Sequence, residues 1–331
     1  MNIILLTVDA LRKDSADSMD FVKELKKLGT SFEEHLTAEA IWTLPAVATQ
    51  LTGRLIKDHQ MIITKVGDSA EKESPDALPL SKSIQTFPQV LKECGYRTIA
   101  YTAGCFFSKI YDFDRGYTEW YEVGDWDKLK ALVEFLDMDI DKSFFHTHNF
   151  FVHDWPGDTE KSTVEWIKKF RSGKYTEDDV KFVRKVYEER VRRLDKYMCD
   201  SVLDRLKRRF DDLVFIFTAD HGEAFLEREN DFHHGSGRTE RIESVVHIPL
   251  IFVGSGIPNR LVKARTWDYD LAPTICGLIG QSFPCEGRDL FRTNLDREVI
   301  NVSKDSQPEV CVIDDKEKEK IKQQLKDAGY I

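Results

Sequence analysis

The 331-residue sequence has no CxxC pair, and its six cysteines (Cys94, Cys105, Cys199, Cys276, Cys285 and Cys311) are too scattered for a disulfide framework. Reduced thiols are expected, and with them a cytoplasmic location. The opening MNIILLTVDALRKD lacks the basic start, long apolar core and small-residue cleavage site of an export signal. No apolar run approaches the roughly 20 residues of a membrane span, so no membrane insertion is expected. Positive charge is also short: 48 basic residues against 58 acidic ones leave a formal charge of -10. General binding to nucleic acid relies on counterion release from a basic surface, so no nucleic-acid partner is expected. An anionic substrate would need a local positive centre. Internal repeats and low-complexity tracts are missing too, which removes solenoid and array architectures.

What is present reads as α/β, with a length that suits one large domain and a modest appendage. Residues 3–8, IILLTV, form a continuous branched apolar run, the pattern of a strand buried on both faces of a parallel sheet. LVFIFT at 213–218 and IPLIFVG at 248–254 are read the same way, and TIAYTAG at 98–104 as a fourth strand. Helices are expected over SMDFVKELKKLG, closing on Gly29, and over SKSIQTFPQVLKECG, closing on Gly95. From Thr176 to Arg209, Val180, Val183, Tyr187, Val191, Leu194, Met198 and Val202 recur every three or four residues on a charged background. That spacing predicts a long amphipathic packing helix. Gly157 to Lys174 reads as a polar loop or cap, and the tail DDKEKEKIKQQLKDAGYI as a short charged helix.

Ligands of open α/β sheets gather beyond the carboxyl ends of the strands, where Asp9 and the pair Asp220 and His221 would stand. Two carboxylates, an imidazole and the hydroxyl of Thr43 would give a divalent cation an oxygen-rich site with one nitrogen. Such a cation would supply the missing positive centre and make the Thr43 hydroxyl a nucleophile near neutral pH. Each residue also has a bland role: Asp9 as a helix cap after a strand, Thr43 as a capping or turn residue before Leu44 and Pro45.

The motifs NIILLTVDALRKD, WTLPAVATQLTGR, FTADHGEAFLE, IPLIFVG and YDLAPTICGLIG follow one another in the order of the sulfatase-like branch of the alkaline phosphatase superfamily. The chain resembles that branch over nearly its whole length. The resemblance implies an alkaline phosphatase-like three-layer α/β/α sandwich with a mostly parallel central sheet. It places the catalytic domain at 1–300 and a short extension ending in a helix at 301–331. It also implies an enzyme acting on a small anionic ester with one divalent metal ion, whether Mn, Mg, Ca or Zn.

Carried over residue by residue, Asp9, Thr43, Asp220 and His221 match the family's metal positions, and Thr43 also matches its nucleophile. The formylglycine of sulfatases arises from cysteine in a C-x-P-x-R context, and this chain has Thr43 and Val47 at the two outer positions. Ala10 stands where sulfatases have a second acid, and His221 where many have Asn. The Asp, Thr, Asp, His set is similar instead to the single-metal site of lipoteichoic-acid-synthase-like transferases and to one site of nucleotide pyrophosphatase-like enzymes. In FFHTHNFFVHDWPGD the resemblance marks His153 as the substrate contact and leaves His146 and His148 open. In FHHGSGR it marks His234, with His233 as fallback, as the group assisting departure of the leaving oxygen. The sulfatase Lys-x-His pair has no counterpart; Lys109 is nearby in a different context. Asp154 and His234 are the candidates for a second metal. These residues point to a phosphodiester or phosphonate hydrolase or transferase with a covalent Thr43 intermediate. The rivals are a sulfatase using an unmodified hydroxyl, a catalytically silent metal-binding relative, and an assembly subunit.

Overall fold

The computed structural model describes residues 1–39, 41–61, 79–104, 106–149, 151–152, 163–227, 232–233 and 242–293. The strands among them are β1 (Asn2–Val8), β2 (Thr30–Phe32), β3 (His35–Leu36), β4 (Arg97–Thr102), β5 (Glu119–Glu122), β6 (Ser143–Asn149), β7 (Leu213–Ala219), β8 (Ala224–Phe225), β9 (Phe232–His233), β10 (Leu250–Gly254), β11 (Arg260–Val262) and β12 (Thr266–Trp267). Eight of them form one sheet in the order β11-β2-β10-β7-β1-β6-β4-β5. β5, β4, β6, β1 and β7 are parallel neighbours, as are β2 and β11. β10 runs antiparallel to both β7 and β2. IPLIFVG is therefore a strand but not a parallel one. Burial on both faces makes a strand apolar throughout in either direction, so its composition carries no record of polarity.

Period-two alternation divides the core into two layers. Ile4, Leu6 and Val8 of β1 with Phe215 and Phe217 of β7 face one layer, which they share with Phe21, Leu132, Val183, Tyr187 and Leu194. Ile3 and Leu5, with Val214 and Ile216, face the other, shared with Leu44, Leu51, Phe87 and Ile275. Helices thus cover both faces, and the three-layer sandwich with a mostly parallel sheet is borne out. Both faces of β1 and β7 lie at full burial, which explains their unbroken apolar sequences.

The helices differ from expectation mainly at their starts. Lys13–Ser18 and Asp20–Leu28 are separate helices, broken at Met19, whose φ of -65° and ψ of 134° are extended. The helix before β4 begins at Phe87, because Thr86 and Gln89 form a reciprocal capping box there. The long helix runs over Glu177–Tyr197, passes through a π-helical stretch at Met198–Val202, and continues over Leu203–Arg208. The loop expected between Gly157 and Lys174 is corrected in part: Thr163–Arg171 is helical. Trp166 and Phe170, four residues apart, are buried, and Phe170 stacks on Phe232 with ring centroids 3.8 Å apart. Two aromatics one turn apart were hidden by their polar surroundings. The remainder of that loop and the extension at 301–331 lie outside the described residues. No helix among the described residues is long and apolar enough to cross a membrane.

Candidate metal centre

Strand register decides which side chains meet. Thr7 of β1 pairs with His148 of β6 on one side and with Thr218 of β7 on the other. Two residues beyond this row come Asp9 and Asp220, in phase with Leu5 and Ile216 and so on the face that carries the helix Thr43–Thr52. Asp9 follows directly on β1, and Ala10 then turns the chain with a φ of 56°. Tyr187 of the long helix holds that turn from both sides. Its hydroxyl donates to the Ala10 carbonyl at 2.9 Å and accepts from the Arg12 N–H at 3.0 Å.

Asp9, Thr43, Asp220 and His221 are all fully buried and converge. The Thr43 Oγ1 donates to Asp9 Oδ2 at 2.9 Å and lies 3.4 Å from His221 Nε2. His221 Nε2 is 3.7 Å from Asp9 Oδ1 and 3.6 Å from Asp220 Oδ2. The ligand atoms of Asp9, Asp220 and His221 all lie within 4.8 Å of one another. Asp220 is held from behind: its Oδ1 accepts the backbone N–H of Ala10 at 3.2 Å and of His221 at 2.8 Å. The His221 Nδ1 meets the Gly222 carbonyl at 2.8 Å, which fixes the ring with Nε2 toward the carboxylates.

Thr43 is the first residue of its helix. Trp42 before it is extended and supplies no side-chain cap; Pro45 has no N–H and the Ala46 N–H goes to the Trp42 carbonyl at 3.3 Å, so the N–H groups of Thr43 and Leu44 are the first-turn donors that remain. The positive end of the helix dipole therefore bears on the hydroxyl. Gln50, two turns on, donates from Nε2 to the Ala219 carbonyl at 2.9 Å and ties the helix to the end of β7 beside Asp220.

Burial and the facing Asp220 push the Asp9 carboxyl well above the usual carboxylate range, against the hydrogen bond from Thr43. Burial raises Asp220 too, but His221 and His148 outweigh it and hold that carboxyl below the usual range. Two buried carboxylates this close thus divide their charge unequally, a conflict that a bound divalent cation would remove. Asp9 Oδ1 is buried and accepts no hydrogen bond. Hard carboxylate oxygens, a hydroxyl and one imidazole nitrogen around that atom fit such an ion.

Two further residues join the centre. His148 Nε2 lies 3.3 Å from Asp220 Oδ2. Glu223 is fully buried, adds its charge to the field at Asp9, and has both carboxylate oxygens 3.2 Å from His233 Nδ1. His233 is therefore engaged with Glu223. His146 is not at the centre: its Nδ1 bonds the Tyr117 hydroxyl at 2.7 Å. Lys109 sits in a short 3-10 turn, Lys109–Tyr111. His153, Asp154 and His234 lie outside the described residues. The spacing of His146 and His148 was a usable signal, since i and i+2 share one face of a strand. What was missing was the placement of β6 beside β1, which separates the histidine that reaches Asp220 from the one that does not.

A family model described as sulfatase matches residues 1–281. Among curated proteins, the low-salt glycan biosynthesis sulfotransferase Agl7 of Haloferax volcanii is 26% identical over 136 residues, which is 39% of this chain and 33% of that protein. The match thus spans about a third of that relative's length. Among solved structures, the 2-O GAG sulfatase BT1596 superposes with a TM-score of 0.71 at 14% identity, covering 90% of this chain and 76% of its own. The phosphonate monoester hydrolase of Silicibacter pomeroyi gives 0.62 at 17% identity, covering 88% and 76%. At these identities the structural likeness speaks for the fold.

Proposed function

The chain belongs to the sulfatase family, and from that premise we propose that it is a metal-dependent hydrolase or transferase of phosphate esters, a phosphodiester or a phosphonate, acting through a covalent Thr43 intermediate. One observation carries this reading: the Thr43 hydroxyl, 2.9 Å from Asp9 Oδ2 and 3.4 Å from His221 Nε2, stands at a helix N-terminus among buried acids. Asp9, Asp220, His221 and the Thr43 oxygen would hold a divalent cation, which would supply Lewis acidity to lower the hydroxyl's pKa and offset charge on the nonbridging oxygens.

Thr43 Oγ1 attacks phosphorus, forming a new O–P bond as the ester O–P bond breaks. Its proton already points at Asp9 Oδ2, the nearest acceptor. The first-turn N–H groups of the helix Thr43–Thr52 favour the negative charge that develops there. In the same reading His153 contacts the substrate and His234 protonates the departing oxygen. Water or an acceptor alcohol then attacks phosphorus and restores the hydroxyl. Formylglycine chemistry has no foothold, because the Thr43 Cβ carries a methyl group and its oxidation would give a ketone, not an aldehyde.

A second reading is transfer or hydrolysis of a sulfuryl group by the same hydroxyl. It is favoured by the name of the Haloferax volcanii relative, a sulfotransferase. Purified protein supplied with Mn2+, Mg2+, Ca2+ or Zn2+ and given aryl sulfate, phosphate monoester, phosphodiester and phosphonate esters separates the two. Preference for a phosphodiester or phosphonate, abolished by Thr43→Ala with cation binding weakened but retained, supports the first. A clear preference for sulfate, or undiminished turnover by Thr43→Ala, overturns it.

A further inference from the structure

β6 carries two histidines on one face, His146 and His148, and only the second reaches the carboxyl end of the sheet. His146 is tied within the core by its Nδ1 to the Tyr117 hydroxyl. His148 is fully buried, and its ring meets Phe107 edge to face, with centroids 5.6 Å apart at 81°. Its Nε2 lies 3.3 Å from Asp220 Oδ2, and both atoms are buried. Its ring atoms fall outside the group whose donors lie mutually within 4.8 Å, so it stands behind Asp220 rather than among the ligands.

The backbone of His148 is fixed as firmly as the ring. Lys128, completely buried in the helix Asp125–Asp137, donates from Nζ to the His148 carbonyl at 2.9 Å and pairs with Asp125 Oδ1 at 2.7 Å. Burying an ammonium is costly, and burial depresses the Lys128 pKa. The adjacent residue is tied as well: the Asn149 carbonyl accepts the Asp9 N–H at 2.9 Å. The Asp125–Lys128 pair thus anchors the end of β6, where His148 faces one metal-site carboxylate and Asn149 holds the backbone of the other.

Resting on the metal-site reading above, we propose that His148 is a positioning residue: as the Nε2–H tautomer it donates to Asp220 Oδ2 and aims that carboxylate at the cation. Oδ1 is held by two backbone N–H groups and His148 Nε2 stands 3.3 Å from Oδ2, so a donation from His148 would leave Asp220 one orientation. Ligand carboxylates fixed in this way lose about 10 to 100-fold in metal affinity when the outer partner is removed. A purely structural histidine would change folding without changing affinity in the folded protein.

The test compares wild type, His148→Ala and His148→Gln, each stripped with chelator and titrated with Mn2+ by calorimetry, with metal-free thermal midpoints and circular dichroism recorded in parallel. His148→Ala is expected to bind Mn2+ about 10 to 100-fold more weakly while folded. His148→Gln, whose amide donates at similar reach, is expected to recover most of that loss. Equal Mn2+ affinity for His148→Ala and wild type overturns the proposal, as does a folded His148→Gln no better than alanine. Should wild type bind Mn2+ yet cleave no ester, the proposed function fails while the affinity comparison still decides the role of His148. Should wild type bind no Mn2+ yet cleave esters, the role of His148 fails and the ester chemistry survives.

Discussion

Replacement of Asp268 by asparagine should make the protein more stable at neutral and alkaline pH, and less stable in acid. Asp268 is fully buried, and its Oδ1 accepts the backbone N–H of Ala38 at 2.9 Å and of Tyr269 at 3.0 Å. Burial pushes its carboxyl up to about 8, helped by Asp270 and Glu39 and opposed by those two N–H groups. A carboxyl raised in the folded state imposes a penalty that is absent below the unfolded pKa of 3.8 and complete above the folded value of about 8. Between those limits the unfolded chain has released a proton that the folded chain keeps. At about 1.36 kcal/mol per unit, the penalty at pH 7 is about 4 kcal/mol. Asparagine keeps the Oδ1 acceptor but brings an extra N–H to the position of Oδ2, which accepts no hydrogen bond, at a cost of about 1 to 3 kcal/mol. The net expectation is a gain of about 1 to 3 kcal/mol at pH 7. More decisive is the slope. The difference between variant and wild type should grow by about 4 kcal/mol from pH 5 to pH 8 and then level off. Urea unfolding followed by tryptophan fluorescence at pH 5, 6, 7, 8 and 9 measures this directly. A difference that stays flat with pH would show that Asp268 is ionised in the folded protein and refute the reasoning. The site matters for function because Ala38 and Glu39 lead into the segment that presents Thr43.

Two other substitutions probe the frame of the candidate metal centre. A Cβ at Gly222 would lie 2.0 Å from the Ser244 carbonyl oxygen, and the Gly222 N–H is bonded to the Val245 carbonyl at 2.7 Å, so neither backbone can yield cheaply. Gly222→Ala should cost about 3 kcal/mol or more and displace His221; a thermal midpoint and Mn2+ affinity matching wild type would contradict this. Gln50→Leu removes the bond to the Ala219 carbonyl at nearly constant volume. It should cost about 1 kcal/mol in urea unfolding and lower kcat more than it raises KM, since Gln50 positions the Thr43 helix without reaching substrate. Unchanged kcat with the expected loss of stability would reduce Gln50 to a structural role.

Much of this architecture is legible in the amino-acid string because its causes are local. β1 and β7 announce themselves as branched apolar runs, since both of their faces are buried. The carboxylates of Asp9 and Asp220 are predictable at the strand ends for the same reason: an apolar run stops where the chain meets a polar crevice. The long helix is visible in the recurrence of Val183, Tyr187, Val191 and Leu194, all buried. The antiparallel course of β10 was not legible, because composition has no direction. The helix Thr163–Arg171 was missed because the buried aromatics Trp166 and Phe170, four residues apart, sit in a stretch read as a polar loop.

Sequence by itself determined the family and the two-faced α/β sheet, and singled out Asp9, Thr43, Asp220 and His221, which the fold brings together. Each of these rests on residue types in order along the chain, which the string records in full. Tertiary structure alone decided which of two equivalent histidines on β6 belongs to the centre, and that Lys128, Gln50 and Tyr187 hold its parts in place. Those contacts join residues 20 to 177 positions apart. They exist only because strand order sets β6, β1 and β7 side by side and register brings their carboxyl ends level. Neither strand order nor register is written in local periodicity.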